Sequence, residues 1–162
     1  MEKKFELTDN FIINAFGVKL FQIKCTKSFK YAKEGDLGGY VEKDENLDQE
    51  SDAWVSGNAW VYGDARVYGN ARVSGNARVY GDAEIDNNNK HCGFDCFGSA
   101  NRHTHAYLTK ENKVEITCGC FRGSIEEFEK RVEETHSGTI YEKQYKAIID
   151  VIKIKFGLTD LI

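Results

Sequence analysis

The phrase Val-x-Gly-[Asn/Asp]-Ala-x runs without interruption from Val55 to Glu84, as Val55-Ser-Gly-Asn-Ala-Trp60, Val61-Tyr-Gly-Asp-Ala-Arg66, Val67-Tyr-Gly-Asn-Ala-Arg72, Val73-Ser-Gly-Asn-Ala-Arg78 and Val79-Tyr-Gly-Asp-Ala-Glu84. Six residues are enough for one short strand and one turn. A unit so small cannot bury its apolar side alone, so it has to stack on copies of itself, which is the definition of a solenoid. The Gly-Asn or Gly-Asp pair supplies each corner, because glycine accepts positive φ and Asn or Asp tolerates left-handed backbone. The first-position Val or Ile and the fifth-position Ala of each hexad are expected to point inward.

Carried upstream in steps of six, the register places Leu37, Val41, Leu47 and Ala53 on first or fifth positions, so that residues 37–90 hold nine hexads. Three hexads per turn give coils 37–54, 55–72 and 73–90. Strand layers are about 4.8 Å apart, so this is a short prism. Residues one coil apart become lateral neighbours. Asp48, Arg66 and Glu84 are therefore expected to form a charge ladder, Trp54 to lie under Arg72, Trp60 under Arg78, and Tyr62 under Tyr80. Arginine over an aromatic ring is the arrangement that cation–π attraction favours. The columns serve either as surface stabilisation or as a face for a partner or a second copy, since aromatic residues and Arg are enriched at interfaces.

The flanks differ in kind. Residues 1–36 alternate in the strand manner (Phe5 and Leu7, Phe11 and Ile13, Val18-Lys-Leu20-Phe-Gln-Ile23) and read as a β cap over the open end of the repeats. After Lys90 the period is lost. His91–Ala100 reads as an irregular connection, Arg102–Leu108 and Val114–Cys120 as a hairpin turning at Lys110–Lys113, and two helices follow. Ser124 with Glu127 forms a capping box for the first, and Tyr141, Tyr145, Ile148, Ile149, Ile152 and Phe156 mark the second, which Gly157 ends. The organisation expected is a β cap (1–36), a repeat region (37–90) and an α+β unit of ββαα order (91–162), mainly β overall.

Residues 35–85, from Gly35-Asp-Leu-Gly-Gly-Tyr-Val-Glu42 through the Gly-Asn-Ala hexads, resemble the hexapeptide-repeat left-handed β-helix proteins of bacteriophage and prophage genomes. The module around Gly98-Ser99-x-Asn101-x-x-Thr104, Cys118-Gly-Cys-Phe-x-Gly123 and Glu126-Glu-Phe128 is similar to one found at the C-terminus of such proteins. The resemblance, not the period, implies the left hand. It also implies a homo-oligomer, with trimers common among similar β-helices and a dimer equally open here because of the added helices.

Chemistry concentrates in the C-terminal half. The turn Cys118-Gly-Cys-Phe-Arg122-Gly-Ser124 brings Cys120, Arg122, Gly123 and Ser124 to a helix start, where N–H groups and the positive dipole end suit phosphate. Asn101, Arg102, His103, Thr104 and His105 place donors and imidazoles on the neighbouring strand, and Ser99 precedes them. A phosphate-bearing ligand with an aromatic base is the natural occupant of these ten positions. Any helix also needs a start such as Gly123-Ser124, which is the structural alternative. Cys118-x-Cys120 and Cys92-x3-Cys96 do not match the closer pairs of structural zinc, and spacing alone identifies no catalytic cysteine. No metal, cofactor or catalytic residue is therefore assigned.

The net charge of −4 gives no bulk attraction to nucleic acid or anionic lipid, and no apolar run suits a membrane span. Five cysteines with no export signal point to reduced thiols in the bacterial cytoplasm. Hexapeptide-repeat acyltransferases share the coils but take a histidine from or near them, and residues 1–90 contain none. The leading expectation is a non-catalytic binding protein that sequesters a nucleotide-derived ligand or blocks a host defence protein, the latter drawn from genomic company. An acyltransferase and a structural interaction module stay open beside it.

Overall fold

The computed structural model describes residues 2–159 and falls into two compact units, the first ending at Asn88 and the second beginning at Asn89. In the first, β1 (Phe5–Ile13) and β2 (Lys19–Cys25) form an antiparallel hairpin, and β3 (Leu37–Val41) continues it. The hairpin turn is tied by Asn14, whose Oδ1 accepts from the N–H groups of Phe16 and Val18, both at 2.9 Å. Two-residue strands follow at the hexad positions: β4 (Trp54–Val55), β5 (Trp60–Val61), β6 (Arg66–Val67), β7 (Arg72–Val73), β8 (Arg78–Val79) and β9 (Glu84–Ile85).

These strands pair in parallel as the repeat requires. Trp54 lies beside Arg72, Trp60 beside Arg78, and Arg66 beside Glu84, 18 residues apart in each case. Val55, Val61, Val67, Val73, Val79 and Ile85, with alanines 53, 59, 65, 71, 77 and 83, are all buried. Each buried Val or Ile contributes about 1.5–3 kcal/mol, and the alanines are small enough for neighbouring walls to converge. The result is a β-solenoid, and the protein is mainly β with two C-terminal helices.

The first rung departs from the 18-residue period. Tyr40 pairs with Trp60, Val41 with Val61 and Leu47 with Val67, each 20 residues apart. Two extra residues thus sit between Leu47 and Val55. Val41 and Leu47 both occupy the first position, and Leu37 is exposed rather than inward. Asp48 consequently leaves the charge column: its N–H donates to the Val67 carbonyl (3.0 Å) and its carboxylate accepts from the Ser51 N–H (3.0 Å). The ladder is the Arg66–Glu84 pair of neighbours, without Asp48. Lys4 pins this irregular stretch, donating from Nζ to the carbonyls of Ser51 (2.7 Å) and Ala53 (2.6 Å). Burial pulls its pKa down to about 8, against the opposing pull of Asp48 and Asp52.

The aromatic columns form and are largely covered. The Arg78 guanidinium lies 3.7 Å from the Trp60 ring centroid, and Tyr62 stacks on Tyr80 with centroids 4.6 Å apart and planes 11° from parallel. Leu20 packs with the two tyrosines, and Ile12 and Val18 lie against the cluster. The N-terminal hairpin therefore occupies the tyrosine part of the face that the repeats offered to a partner. Arg72 lies beside Trp54 in the ladder, with its guanidinium 4.5 Å from the Tyr31 ring centroid. Through β2 and β3 the hairpin is also hydrogen-bonded into the sheet β1-β2-β3-β5-β8, which covers an edge that would otherwise invite pairing.

The second unit is a four-stranded antiparallel sheet, β10 (His91–Phe97), β11 (Arg102–Leu108), β12 (Val114–Cys118) and β13 (Phe121–Gly123), with α1 (Ile125–His136) and α2 (Ile140–Lys155). The expected hairpin and both helices are present. The order, however, is ββββαα: the stretch read as an irregular connection is β10, and part of the strand-to-helix turn is β13. Both are short of local strand signals, since β10 carries a glycine and a bulge after Phe94 and β13 has three residues. Ser124 Oγ accepts from Glu127 N–H (3.1 Å) while Glu127 Oε2 accepts from Ser124 N–H (3.2 Å), the reciprocal cap that starts α1. Gly157 at φ 68° ends α2. Ala106, Ile116 and Cys118 on one sheet face pack against Ile125, Phe128, Val132, Tyr145, Ile148, Ile149 and Ile152 of the helices. Among the described residues, no helix is long and apolar enough to cross a membrane.

Candidate functional site

The sheet of the second unit has two chemically different faces, and they divide the ten candidate residues. Side chains alternate along a strand. Thr104, Ala106, Ile116 and Cys118 face the helices, which leaves His103, His105, Tyr107, Glu115, Thr117 and Arg122 on the opposite side.

At the margin of the helix-facing side lies a cavity of ≈ 190 Å³. Ser99, Arg102 and Cys120 line it, as expected of candidate residues, together with Arg131, Thr135 and His136 of α1 and Tyr145 of α2. Its apolar wall is Phe121, Phe128 and Val132. Arg102 lies across the Gly119 turn, where a Cβ would overlap its guanidinium. Arg131 lies 5.5 Å from the Phe121 ring centroid. Among the described residues neither guanidinium has a carboxylate partner within salt-bridge distance, whereas Arg122 does. Thr104 is buried and does not line the cavity itself, but donates from Oγ1 to Sγ of the lining residue Cys118 (3.3 Å). The Tyr145 hydroxyl is pushed above its usual range, first by burial and then by Cys118. It is therefore held protonated, and His136 stacks on its ring with centroids 5.5 Å apart.

The remaining candidates are held elsewhere. Asn101, at φ 50°, closes the turn after β10 by donating its N–H to the Gly98 carbonyl (3.3 Å). Arg122 is paired through Nε with Glu115 across the sheet. Gly123 leaves room for the Glu127 carboxylate, with which a Cβ would collide. Ser124 and Glu127 cap each other, so the start of α1 is filled by its own side chain. Arg131, Thr135, His136 and Tyr145 are absent from the sequence-based set. The signal was present, because Phe128, Arg131, Val132, Thr135 and His136 follow i, i+3, i+4, i+7, i+8 and must share one helical face.

His103 and His105 join a second cluster on the opposite face. His91 Nδ1 is 3.0 Å from His105 Nε2, His105 Nδ1 is 3.0 Å from His103 Nε2, and His103 Nδ1 is 2.6 Å from Asp95 Oδ1. Gly93, opposite His105 in the ladder, makes the space: a Cβ there would be 2.6 Å from His103 Cε1 and 2.8 Å from His105 Nδ1. Among the described residues no group of His, Cys, Asp or Glu is placed to hold a metal ion. Geometry gives the reason here, since both nitrogens of His105 face neighbouring rings instead of a common centre.

Burial holds His105 well below the ordinary histidine pKa, and the charges of His91 and His103 push the same way. In the unfolded chain the same ring titrates near 6.5. Its folded value is depressed, so its contribution is complete above about pH 6.5 and is lost as the pH falls below that, where the unfolded state alone gains the proton. Urea unfolding between pH 7.5 and 5 is expected to show stability falling by up to about 1.4 kcal/mol per pH unit from this ring. A flat profile contradicts a buried neutral His105.

Compared with known families, the chain matches the YdcK β-solenoid repeat over residues 59–75 and 71–83. This match supports a β-solenoid repeat protein and lies wholly in the first unit. No curated protein matches the chain.

Proposed function

We propose that the chain is a non-catalytic binding protein whose C-terminal unit holds a phosphate-bearing, nucleotide-derived ligand in the Arg102–Arg131 cavity. The observation that carries this reading is two guanidiniums, neither with a carboxylate partner among the described residues, beside a wall of Phe121, Phe128 and Tyr145. Planar guanidiniums match phosphate oxygens in pairs, and aromatic rings match a base. The Ser99 and Thr135 hydroxyls add acceptors or donors at the rim. At ≈ 190 Å³ the cavity lies below the roughly 300–1,000 Å³ of drug-sized sites. It suits one phosphate and part of a nucleoside better than a whole dinucleotide. The biological reading follows the resemblance: a phage-type left-handed β-helix protein, a dimer or trimer in the bacterial cytoplasm, that sequesters a nucleotide signal or blocks a host defence component.

Thermal melting of the purified protein against inorganic phosphate, mononucleotides, cyclic di- and trinucleotides, ADP-ribose derivatives and acyl-CoA tests this. Ligand at a hundredfold excess over its Kd stabilises the folded state by about 2.7 kcal/mol. Stabilisation by a nucleotide class supports the reading. A flat panel removes the small-molecule reading and favours a protein target, and turnover of an acyl thioester would move the assignment to the acyltransferases.

A further inference from the structure

Arg131 belongs to two stripes of α1. Phe128, Val132 and Thr135 share the first with it, on the side of the Arg102 cavity. Glu127, Lys130, Arg131 and Glu134 follow i, i+3, i+4, i+7 and so share a second stripe, one step round the helix. This second stripe is one side of a further depression of ≈ 390 Å³, whose other side is the sheet-edge strand β13 through Phe121 and Arg122. Cys120, Phe121 and Arg131 line both spaces. The two are therefore neighbours, and the Arg131 guanidinium, 5.5 Å from the Phe121 ring centroid, stands at their common border.

The two spaces differ in chemistry. Phe121, Phe128 and Tyr145 give the cavity its aromatic wall. The depression takes only Phe121 from that wall, and the rest of its lining beyond Cys120 is charged, with Arg122, Lys130 and Arg131 against Glu127 and Glu134. Arg122 is engaged by Glu115, and the Glu127 carboxylate accepts from the Ser124 N–H. Among the described residues Lys130 has no carboxylate within salt-bridge distance. An ammonium is a compact point charge that suits a phosphate oxygen. An ionised carboxylate only accepts hydrogen bonds, so Glu134 suits hydroxyl groups and repels a further phosphate.

We infer that the ligand of this site is a nucleoside diphosphate sugar, with its base in the aromatic cavity, its pyrophosphate at Arg131 between Arg102 and Lys130, and its sugar in the depression beside Glu134. This rests on the phosphate reading of the Arg102–Arg131 cavity and names the ligand class. Other nucleotides fit the pair of spaces less well. A monophosphate leaves the depression to water. A triphosphate sets its terminal charge against Glu127 and Glu134. A dinucleotide needs a second aromatic wall for its second base, and the depression offers only the ring that borders the cavity.

Calorimetric titration of the intact protein with AMP, ADP and ADP-ribose tests it. One added charge-assisted contact is worth about tenfold or more in affinity. ADP is therefore expected to bind at least about tenfold more tightly than AMP, and ADP-ribose more tightly again. Lys130→Ala, at an exposed position, is expected to lower the ratio of ADP-ribose to AMP affinity by about tenfold. The order of affinities predicted here is overturned if AMP binds and ADP-ribose binds no more tightly, an outcome that leaves the phosphate cavity standing. Equal affinity for ADP and ADP-ribose removes the sugar from the depression, and an unchanged ratio in Lys130→Ala removes the pyrophosphate from its border. Failure of all three compounds to bind overturns the cavity reading along with the ligand class.

Discussion

Replacing Phe128 with alanine is expected to cost about 3–5 kcal/mol of stability, read as a fall in the urea midpoint at an unchanged slope. Phe128 is buried on α1, with Phe121 at 5.2 Å and Tyr145 at 5.5 Å between ring centroids. It thus links β13, α1 and α2 at the point where the cavity wall is built. The size of the effect comes from two losses: the ring's transfer from water and the cavity left among neighbours that cannot close it. Phe128→Leu keeps most of the volume and is expected to cost much less. Equal losses in the two variants would show that ring packing does not hold this unit together.

Gly69→Ala is expected to destabilise the solenoid by about 2 kcal/mol or more. Gly69 sits at φ 62°, and a Cβ there would collide with the Asp86 carbonyl oxygen of the next rung. That carbonyl also accepts from the Asn70 N–H at 2.9 Å, so it cannot move aside without losing a rung bond. Gly17→Ala is the control. Gly17 has φ 80°, with nothing within 4 Å of where the alanine methyl would sit, so it reports backbone strain alone, about 1–2 kcal/mol. If the two alanines cost the same, the close stacking of corners between rungs is not what limits this position to glycine.

These two effects fall on parts of the chain that differ in how far they are legible in the sequence. The repeats are legible because each hexad carries its own strand, corner and inward residues, so five copies report the same local answer. That is why the Trp60–Arg78 and Tyr62–Tyr80 columns form. The register fails at Asp48 because Val41 and Leu47 satisfy a fifth-position rule as well as a first-position one, and a two-residue insertion leaves the six-residue spacing on either side intact. The covering of the Tyr62–Tyr80 column by Leu20 is a tertiary fact with no local sign.

In the second unit, local chemistry marks the capping box at Ser124 and the helical spacing from Tyr141 to Phe156. β10 has no such mark, because its pairing with β11 comes from the tertiary ladder, not from alternation of β-branched residues. Without β10 the histidine array is hidden too, since it depends on His91 and Asp95 standing beside His105 and His103. The sequence points to the start of α1 for an anion site, where Glu127 already satisfies the N–H of Ser124. The second guanidinium of the cavity, Arg131, lies one helical turn beyond Phe128 and lines the cavity because α1 packs its Phe128–Val132 face on the sheet.

Calorimetric titration with AMP, a phosphate bearing a single nucleoside, bears most directly on the binding reading when the wild type is compared with Arg102→Ala/Arg131→Ala. Hydrogen bonds to charged groups contribute about 1.5–3 kcal/mol each. Loss of both guanidiniums is therefore expected to weaken binding by about a hundredfold or more, while the melting temperature without ligand stays close to that of the wild type. Equal affinity in the two proteins, or no heat of binding in the wild type, would contradict a phosphate site in this cavity.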